Sequence, residues 1–167
     1  TGPSADDSAT QSEALGWEVL RAENYARFAA LFDAVNGETR DFPELVRSRP
    51  THAVYEGFLG RGGMREGLWR VLSWRGQDAG LLLLAPHREA CSMELLFMGV
   101  RPAFRGIGLG RAITQNAFSL AREHGYQLIL TADARNSRAL ALYREAGLKV
   151  VCTSRLFVRS SSRLKNQ

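Results

Sequence analysis

Apolar and polar positions divide the chain into a polar lead, a helical first third, a strand-rich middle and a mixed second half. Residues 1–14 are rich in Ser, Thr, Asp and Ala without periodicity, which predicts a flexible N-terminal segment. Residues 17–21 predict a first strand. Asn24 is placed to cap a helix in which Tyr25, Phe28, Ala29, Phe32 and Val35 recur at helical spacing, with Gly37 closing it. A short helix is expected from Asp41, with Pro43 in its first turn and its end before Pro50. From Thr51 the texture changes. Residues 51–58 and 68–74 are rich in β-branched and aromatic side chains, and residues 75–80 turn into residues 81–85, so an antiparallel meander is expected. Residues 86–90 make the next turn and residues 91–100 the strand that follows.

In the second half, Leu109, Ala112, Ile113, Ala117, Leu120 and Ala121 share one face of a helix stopped at Gly125, and residues 128–132 predict a buried strand. A β-helix-β unit therefore interrupts an otherwise antiparallel order. Residues 137–146 predict a last helix ended by Gly147, with closing strands near residues 148–152 and 155–158. These elements describe an α+β fold, a mixed and mostly antiparallel sheet flanked by helices. One domain over residues 15–160 is expected, followed by a basic tail at 161–167; 167 residues are enough to bury a core.

Composition narrows the setting. Apolar runs such as residues 80–86 and 95–100 fall short of the roughly 20 residues that span a bilayer, and the first fifteen residues lack the apolar centre of a signal peptide. A cytoplasmic protein without a membrane partner is expected. The net charge of +5 and pI near 9.8 suit nucleic acid, an acidic partner or an anionic cofactor. The arginines are scattered except for Arg155, Arg159, Arg163 and Lys165, read as a solvated end, so nucleic acid is not expected. Cys91 and Cys152 sit in apolar runs without metal or redox spacing and are expected to be buried thiols. His52, His87 and His124 lack ligand spacing, and no metal site is expected.

The candidate chemistry centres on residues 100–111, V-R-P-A-F-R-G-I-G-L-G-R, where three glycines separate an apolar strand from a helix start. Such a turn exposes backbone N–H groups at the positive end of a helix dipole, and glycine removes the side chains that would block an anion. Arg105 and Arg111 bracket it. The dinucleotide pattern fails because its third glycine position is Arg111, and no Gly-Lys-Ser/Thr follows for a P-loop. What remains is Arg-x-x-Gly-x-Gly, carried by Arg105, Gly108 and Gly110. Together with A-R-N-S-R-A-L-A-L-Y-R-E-A-G-L at residues 134–148, this motif resembles the signatures of the GCN5-related N-acetyltransferase (GNAT) superfamily.

The resemblance implies an acetyl-coenzyme A-dependent N-acetyltransferase acting on a primary amine, with no metal. It implies that Arg105, Gly106, Ile107, Gly108, Leu109, Gly110 and Arg111 hold the pyrophosphate, that a splayed strand near Met98, Gly99 and Val100 binds the pantetheine and polarises the acetyl carbonyl, and that Asn136 touches the pantetheine arm. Tyr143, seven residues after Asn136 and so on the same helical face, would reach the thioester sulfur. A base is also needed, because an amine is protonated at neutral pH. Glu94, on a strand face with Leu96 and Met98, is out of place among apolar neighbours and leads; a salt-bridged structural glutamate is the alternative. Asp133 is the second candidate, or a loop organiser. Thr131 occupies the position at which ribosomal-protein acetylases of the superfamily carry a glutamate. Direct transfer in a ternary complex is expected, since neither cysteine is placed as an acyl carrier. A catalytically idle acyl-coenzyme A-binding regulator is the rival reading, and a homodimer stays open.

Overall fold

Four leucines and an alanine in succession, Leu81 to Ala85, are buried, which only a strand covered on both faces allows. They form the middle of the sheet in the computed structural model, which describes residues 14–36, 39, 41–46, 49–62, 64 and 67–157. Among these residues the strands are β1 (Leu15–Val19), β2 (Trp69–Trp74), β3 (Gln77–His87), β4 (Ser92–Val100) and β5 (Gln127–Leu130), and they lie side by side in that order. The first three pairings are antiparallel and β4 pairs β5 in parallel. The helices are α1 (Tyr25–Asn36), α2 (Pro43–Val46), α3 (Thr51–Leu59), α4 (Leu109–Glu123) and α5 (Ser137–Glu145). The mixed α+β architecture expected from the pattern is the one found.

Two cores cover the two sheet faces. Phe28, Leu31 and Phe32 of α1 and Tyr55 of α3 pack with Trp69, Val71, Leu81 and Leu83, while Leu109, Ile113, Ala117, Leu120 and Ala121 of α4 pack with Leu72, Leu82, Leu84, Met93 and Leu95. Each such leucine or isoleucine contributes about 1.5–3 kcal/mol over its exposed state. A side-chain N-cap is worth about 1 kcal/mol, so the apolar stripe, and not the uncapped N-terminus, anchors α4.

Several expectations need correction. Residues 51–58 are helical, because Val54, Tyr55, Phe58 and Leu59 recur at helical spacing and pack on the α1-side core, with Tyr55 and Phe58 edge-on to Trp69. Their β-branched and aromatic content reflects that burial. β1 begins at Leu15, two residues earlier than the pattern indicated. β5 alternates in exposure, with Ile129 43% exposed, since it lies at the edge of the described sheet and is not a buried strand. Residues 148–157 carry no strand and are largely exposed, so their apolar side chains have no ladder to join; Val158, the basic tail and residues 1–13 lie outside the described residues, as does Gly37. Cys91 and Cys152 are exposed, not buried: Cys91 sits in the left-handed conformation after a turn of 3-10 helix, and Cys152 lies in the segment beyond α5. Asn24 closes a 3-10 turn at Ala22–Asn24 before α1.

Candidate active site

The turn between β4 and α4 takes its shape from two glycines. Gly106 and Gly108 have φ of 87° and 89°, which a side chain would strain, and a Cβ on Gly106 would meet open space. α4 starts immediately after Gly108 without a side-chain cap. Leu109 and Gly110 lie in its first turn, whose N–H groups have no carbonyl partner inside the helix, while Arg111 and Ala112 already donate to Gly108 O at 3.0 and 3.2 Å. An uncapped helix start behind an open glycine turn fits an anion such as a pyrophosphate. A Cβ on Gly110 would lie 3.5 Å from Leu142 of α5, an ordinary contact between neighbouring helices.

The two bracketing arginines serve different ends. Arg105 donates from Nε to Val100 O at 3.1 Å and from Nη2 to Val35 O at 3.3 Å, tying the turn to β4 and to the end of α1. Arg111 pairs with Glu145 at 2.8 Å with both side chains well exposed. An exposed pair of this kind is worth under about 1 kcal/mol, weak enough to yield to a stronger anion.

The β4–β5 ladder runs from Ser92↔Gln127 to Leu95↔Leu130 and stops, so from Leu96 to Val100 the β4 edge has no β5 partner. β5 itself ends at Leu130, which leaves this stretch of the β4 edge unpaired on that side. Against β3, Leu95 faces Leu84 and Phe97 faces Leu83, leaving Leu96 as the extra residue of a bulge. The bulge breaks the period of two: Leu96 packs toward the α1 side and Met98 toward α4, where Met98 Sδ accepts the Thr114 hydroxyl at 3.8 Å. Met98 therefore does not continue the Leu96 face as the sequence pattern suggested. Gly99 is required for another reason, since a Cβ there would overlap Val35 Cγ1 of α1.

Asn136 caps α5, its Oδ1 accepting the Ala139 N–H at 3.2 Å. Tyr143 lies on the same helix, half-buried, and burial, with Asp41's charge as a second cause, pushes its hydroxyl up to about 12. Asp133 is 6% exposed. Its carboxylate accepts from Arg135 Nε and Nη2 at 3.0 and 2.6 Å, from the Arg135 backbone at 2.9 Å and from Phe42 N–H at 3.3 Å. Arg135 thereby holds the Asp133 carboxyl well below the usual range, which makes it a poor base and an effective loop organiser. Arg135 also forks onto Glu44 at 2.8 and 2.9 Å.

Glu94 lies in register with Ala85 and Ile129 and accepts from His87 Nε2 at 2.7 Å and Arg61 Nη1 at 3.0 Å. It is partly exposed and already charge-compensated. The charge acting on Tyr143 is that of Asp41. Sequence reasoning gave Asp41 and His87 no chemical role and did not consider Arg61. His87 and Glu94 are cross-strand neighbours of one hairpin and were within reach of a register argument, whereas Asp41 meets Asp133 across 92 positions and left no local signal. Tyr55 and Trp69 are core residues. Among the described residues no group of three or more His, Cys, Asp or Glu side chains is arranged to hold a metal, and no helix is long and apolar enough to cross a membrane.

A sequence profile described as the acetyltransferase (GNAT) family matches residues 31–148. Peptidyl-lysine N-acetyltransferase YjaB of Escherichia coli K12 is 32% identical over 83 residues, covering 50% of this chain and 50% of that protein. A mycothiol acetyltransferase of Jonesia denitrificans is 41% identical over 69 residues, covering 41% of this chain and 22% of its own length. The chain thus spans half or less of the curated relatives it matches. Among solved structures, yncA from Salmonella typhimurium with its cofactor acetyl-CoA superposes with a TM-score of 0.58 at 18% identity, over 83% of this chain and 82% of that one.

Proposed function

Because the chain belongs to the acetyltransferase (GNAT) family, we propose that it transfers the acetyl group of acetyl-coenzyme A to a primary amine by direct attack in a ternary complex. One observation carries the reading: the uncapped start of α4 and the unpaired β4 edge beyond Leu95 belong to one continuous stretch, joined by a turn with two left-handed glycines. An anion held at the turn and an extended arm laid along the edge describe the two parts of coenzyme A that a protein must grip. YjaB is named a peptidyl-lysine acetyltransferase and yncA was solved with acetyl-CoA, which supports an amine acceptor and this acyl donor.

In this reading the backbone from Gly106 to Arg111 binds the pyrophosphate, and Arg111 leaves Glu145 to join it. The edge at Met98, Gly99 and Val100 orients the pantetheine and offers N–H groups to the acetyl carbonyl, with Asn136 beside the arm. Acetyl-coenzyme A supplies an acyl group activated as a thioester. Tyr143 stays protonated at neutral pH, since its hydroxyl is pushed up to about 12. An ordinary thiol ionises at about 8.5, so complete proton transfer from this phenol is uphill and Tyr143 acts chiefly by hydrogen-bonding the departing sulfur. Glu94 receives the amine's proton, with His87 as its hydrogen-bonded neighbour.

The test is thiol release from acetyl-coenzyme A across a panel containing lysine peptides, peptide α-amines, cysteinyl glycosides and alkylamines. Release that depends on the amine, with the acetylated product seen by mass spectrometry, is expected. Donor binding with no turnover on any amine would point to an acyl-coenzyme A-binding regulator instead.

A further inference from the structure

The β5 edge of the sheet and the chain that follows α5 each leave apolar surface uncovered, and the two surfaces suit each other. β5 pairs with β4 on one side, and among the described residues nothing pairs with its other side. On the α4 face of that edge, Phe118 and Ala121 of α4, Tyr126 and Leu128 at the start of β5, and Ala146 after α5 line a groove of about 670 Å³. Ile129, on the opposite face of the strand, is 43% exposed. An open strand edge flanked by apolar side chains is a template for a further strand.

Residues 148–157, L-K-V-V-C-T-S-R-L-F, have the pattern of such a strand. Leu148, Val150, Cys152, Ser154 and Leu156 alternate with Lys149, Val151, Thr153, Arg155 and Phe157, so in an extended chain one face is uncharged and the other carries both basic side chains. The segment leaves α5 through Gly147 at a φ of 89°, with the Leu148 N–H bonded to Tyr143 O at 3.0 Å. Beyond that bond it is unpaired: Val150, Val151, Leu156 and Phe157 are 67, 94, 60 and 86% exposed. It starts beside its own groove, at Ala146, yet none of its residues lines that groove. One chain thus carries a strand-patterned segment and an open edge, neither satisfied within the molecule, and two copies can satisfy both.

We propose that the protein forms a two-fold dimer in which residues 148–157 of each copy add as a strand to the β5 edge of the other, with Val150 and Leu156 set into the partner's groove. The size of the contact fits a stable dimer. A specific interface takes about 800 Å² and about 20–30 residues from each partner. Each copy gives its ten-residue segment and also receives one on its groove and edge, which reaches that range, and Phe157 alone brings about 150–250 Å². Reciprocity closes the assembly, because the β5 edge and the segment of both copies are used. The assignment stands apart from acetyl transfer and is testable without turnover.

The experiment is sedimentation equilibrium of the 167-residue chain over a range of concentrations. Wild type should sediment at twice its 18.5 kDa. Val150→Asp combined with Leu156→Asp, at exposed positions that the fold of one copy does not need, should raise the dimer Kd by about 10²-fold or more, since each carboxylate would be buried without a partner. Ser119→Arg, which fills the groove from a half-exposed position on α4, should do the same; if circular dichroism shows lost helix, Gln115→Trp at an exposed lining position replaces it. Mixed in equal amounts, the segment variant and the groove variant should recover a dimer at concentrations where each alone is monomeric, because one intact segment then meets one intact groove. A wild type that stays monomeric would overturn the proposal, and β5 amides exchanging faster in the segment variant would then put the segment on its own edge. A dimer that survives both variants, a mixture that recovers nothing, or assemblies that grow past the dimer with concentration would overturn it as well.

Discussion

Around the glycine turn, β4, Gly106, Gly108 and α4 follow one another along the chain, and the conformation of each is dictated by residues a few positions away. Around Asp41 the geometry is made by partners far apart in sequence, Asp41 with Asp133 across 92 positions and Glu44 with Arg135 across 91. The first region depends on backbone conformation and a buried apolar stripe, both insensitive to pH. The second depends on ionised side chains, the buried Asp133 among them. Substitutions near the turn should therefore act on ligand binding with little loss of fold, whereas substitutions in the Asp41 region should mix stability and pH dependence.

The largest expected effect tests whether the two regions meet at one reacting centre. Tyr143→Phe keeps the ring and its packing and removes the hydroxyl, so kcat should fall by about 10²-fold with donor affinity little changed. Unchanged turnover, with chemistry shown to limit the rate, would return Tyr143 to a packing role.

Next is Asp133→Ala, which strips Phe42 and Arg135 of their shared acceptor. A loss of about 2–3 kcal/mol is expected from urea unfolding at pH 7. The pH sign distinguishes this aspartate from its neighbour. Arg135 lowers the folded-state pKa of Asp133, so its stabilisation is complete above the ordinary Asp range near pH 4 and is lost as pH falls through the lowered value. Asp41 is shifted the other way, and its charge reduces stability as pH rises through its raised value. Urea midpoints from pH 2 to 7 should show the acid-side loss in wild type and a smaller one in Asp133→Ala; parallel curves would mean that the clamp carries no net charge stabilisation.

Glu94→Gln is expected to have the smallest effect, a fall in kcat of about tenfold with a weakened acidic limb of the pH–rate profile. Arg61 already pairs with this carboxylate and His87 hydrogen-bonds it. If rate and limb both match wild type, Glu94 is a structural member of the α3-side ion pair.

The same division governs what was legible in the sequence. The turn was readable because its glycines are a local requirement, and α4 because six apolar positions fall on one face. Asn136 as a cap was readable for the same reason. Residues 51–58 were misread because aromatic content outweighed the i, i+4 spacing of Val54 with Phe58 and Tyr55 with Leu59. The strand ending at Val100 was legible, but the bulge at Leu96 was invisible, since one unpaired residue changes no composition and turns every later side chain to the other face. Val35 against Gly99 and Asp41 against Asp133 are contacts of tertiary folding, and nothing near either residue in the chain announces them.

The central claim, that the turn ahead of α4 and the β4 edge bind acetyl-coenzyme A, is tested most directly by calorimetric titration of acetyl-coenzyme A into wild type and Gly108→Glu. Gly108 sits at a φ of 89°, so the variant's fold must first be matched to wild type by circular dichroism and Tm. With folding intact, a carboxylate at the pyrophosphate position should weaken binding at least 10²-fold. Equal affinity in the two proteins would contradict the account.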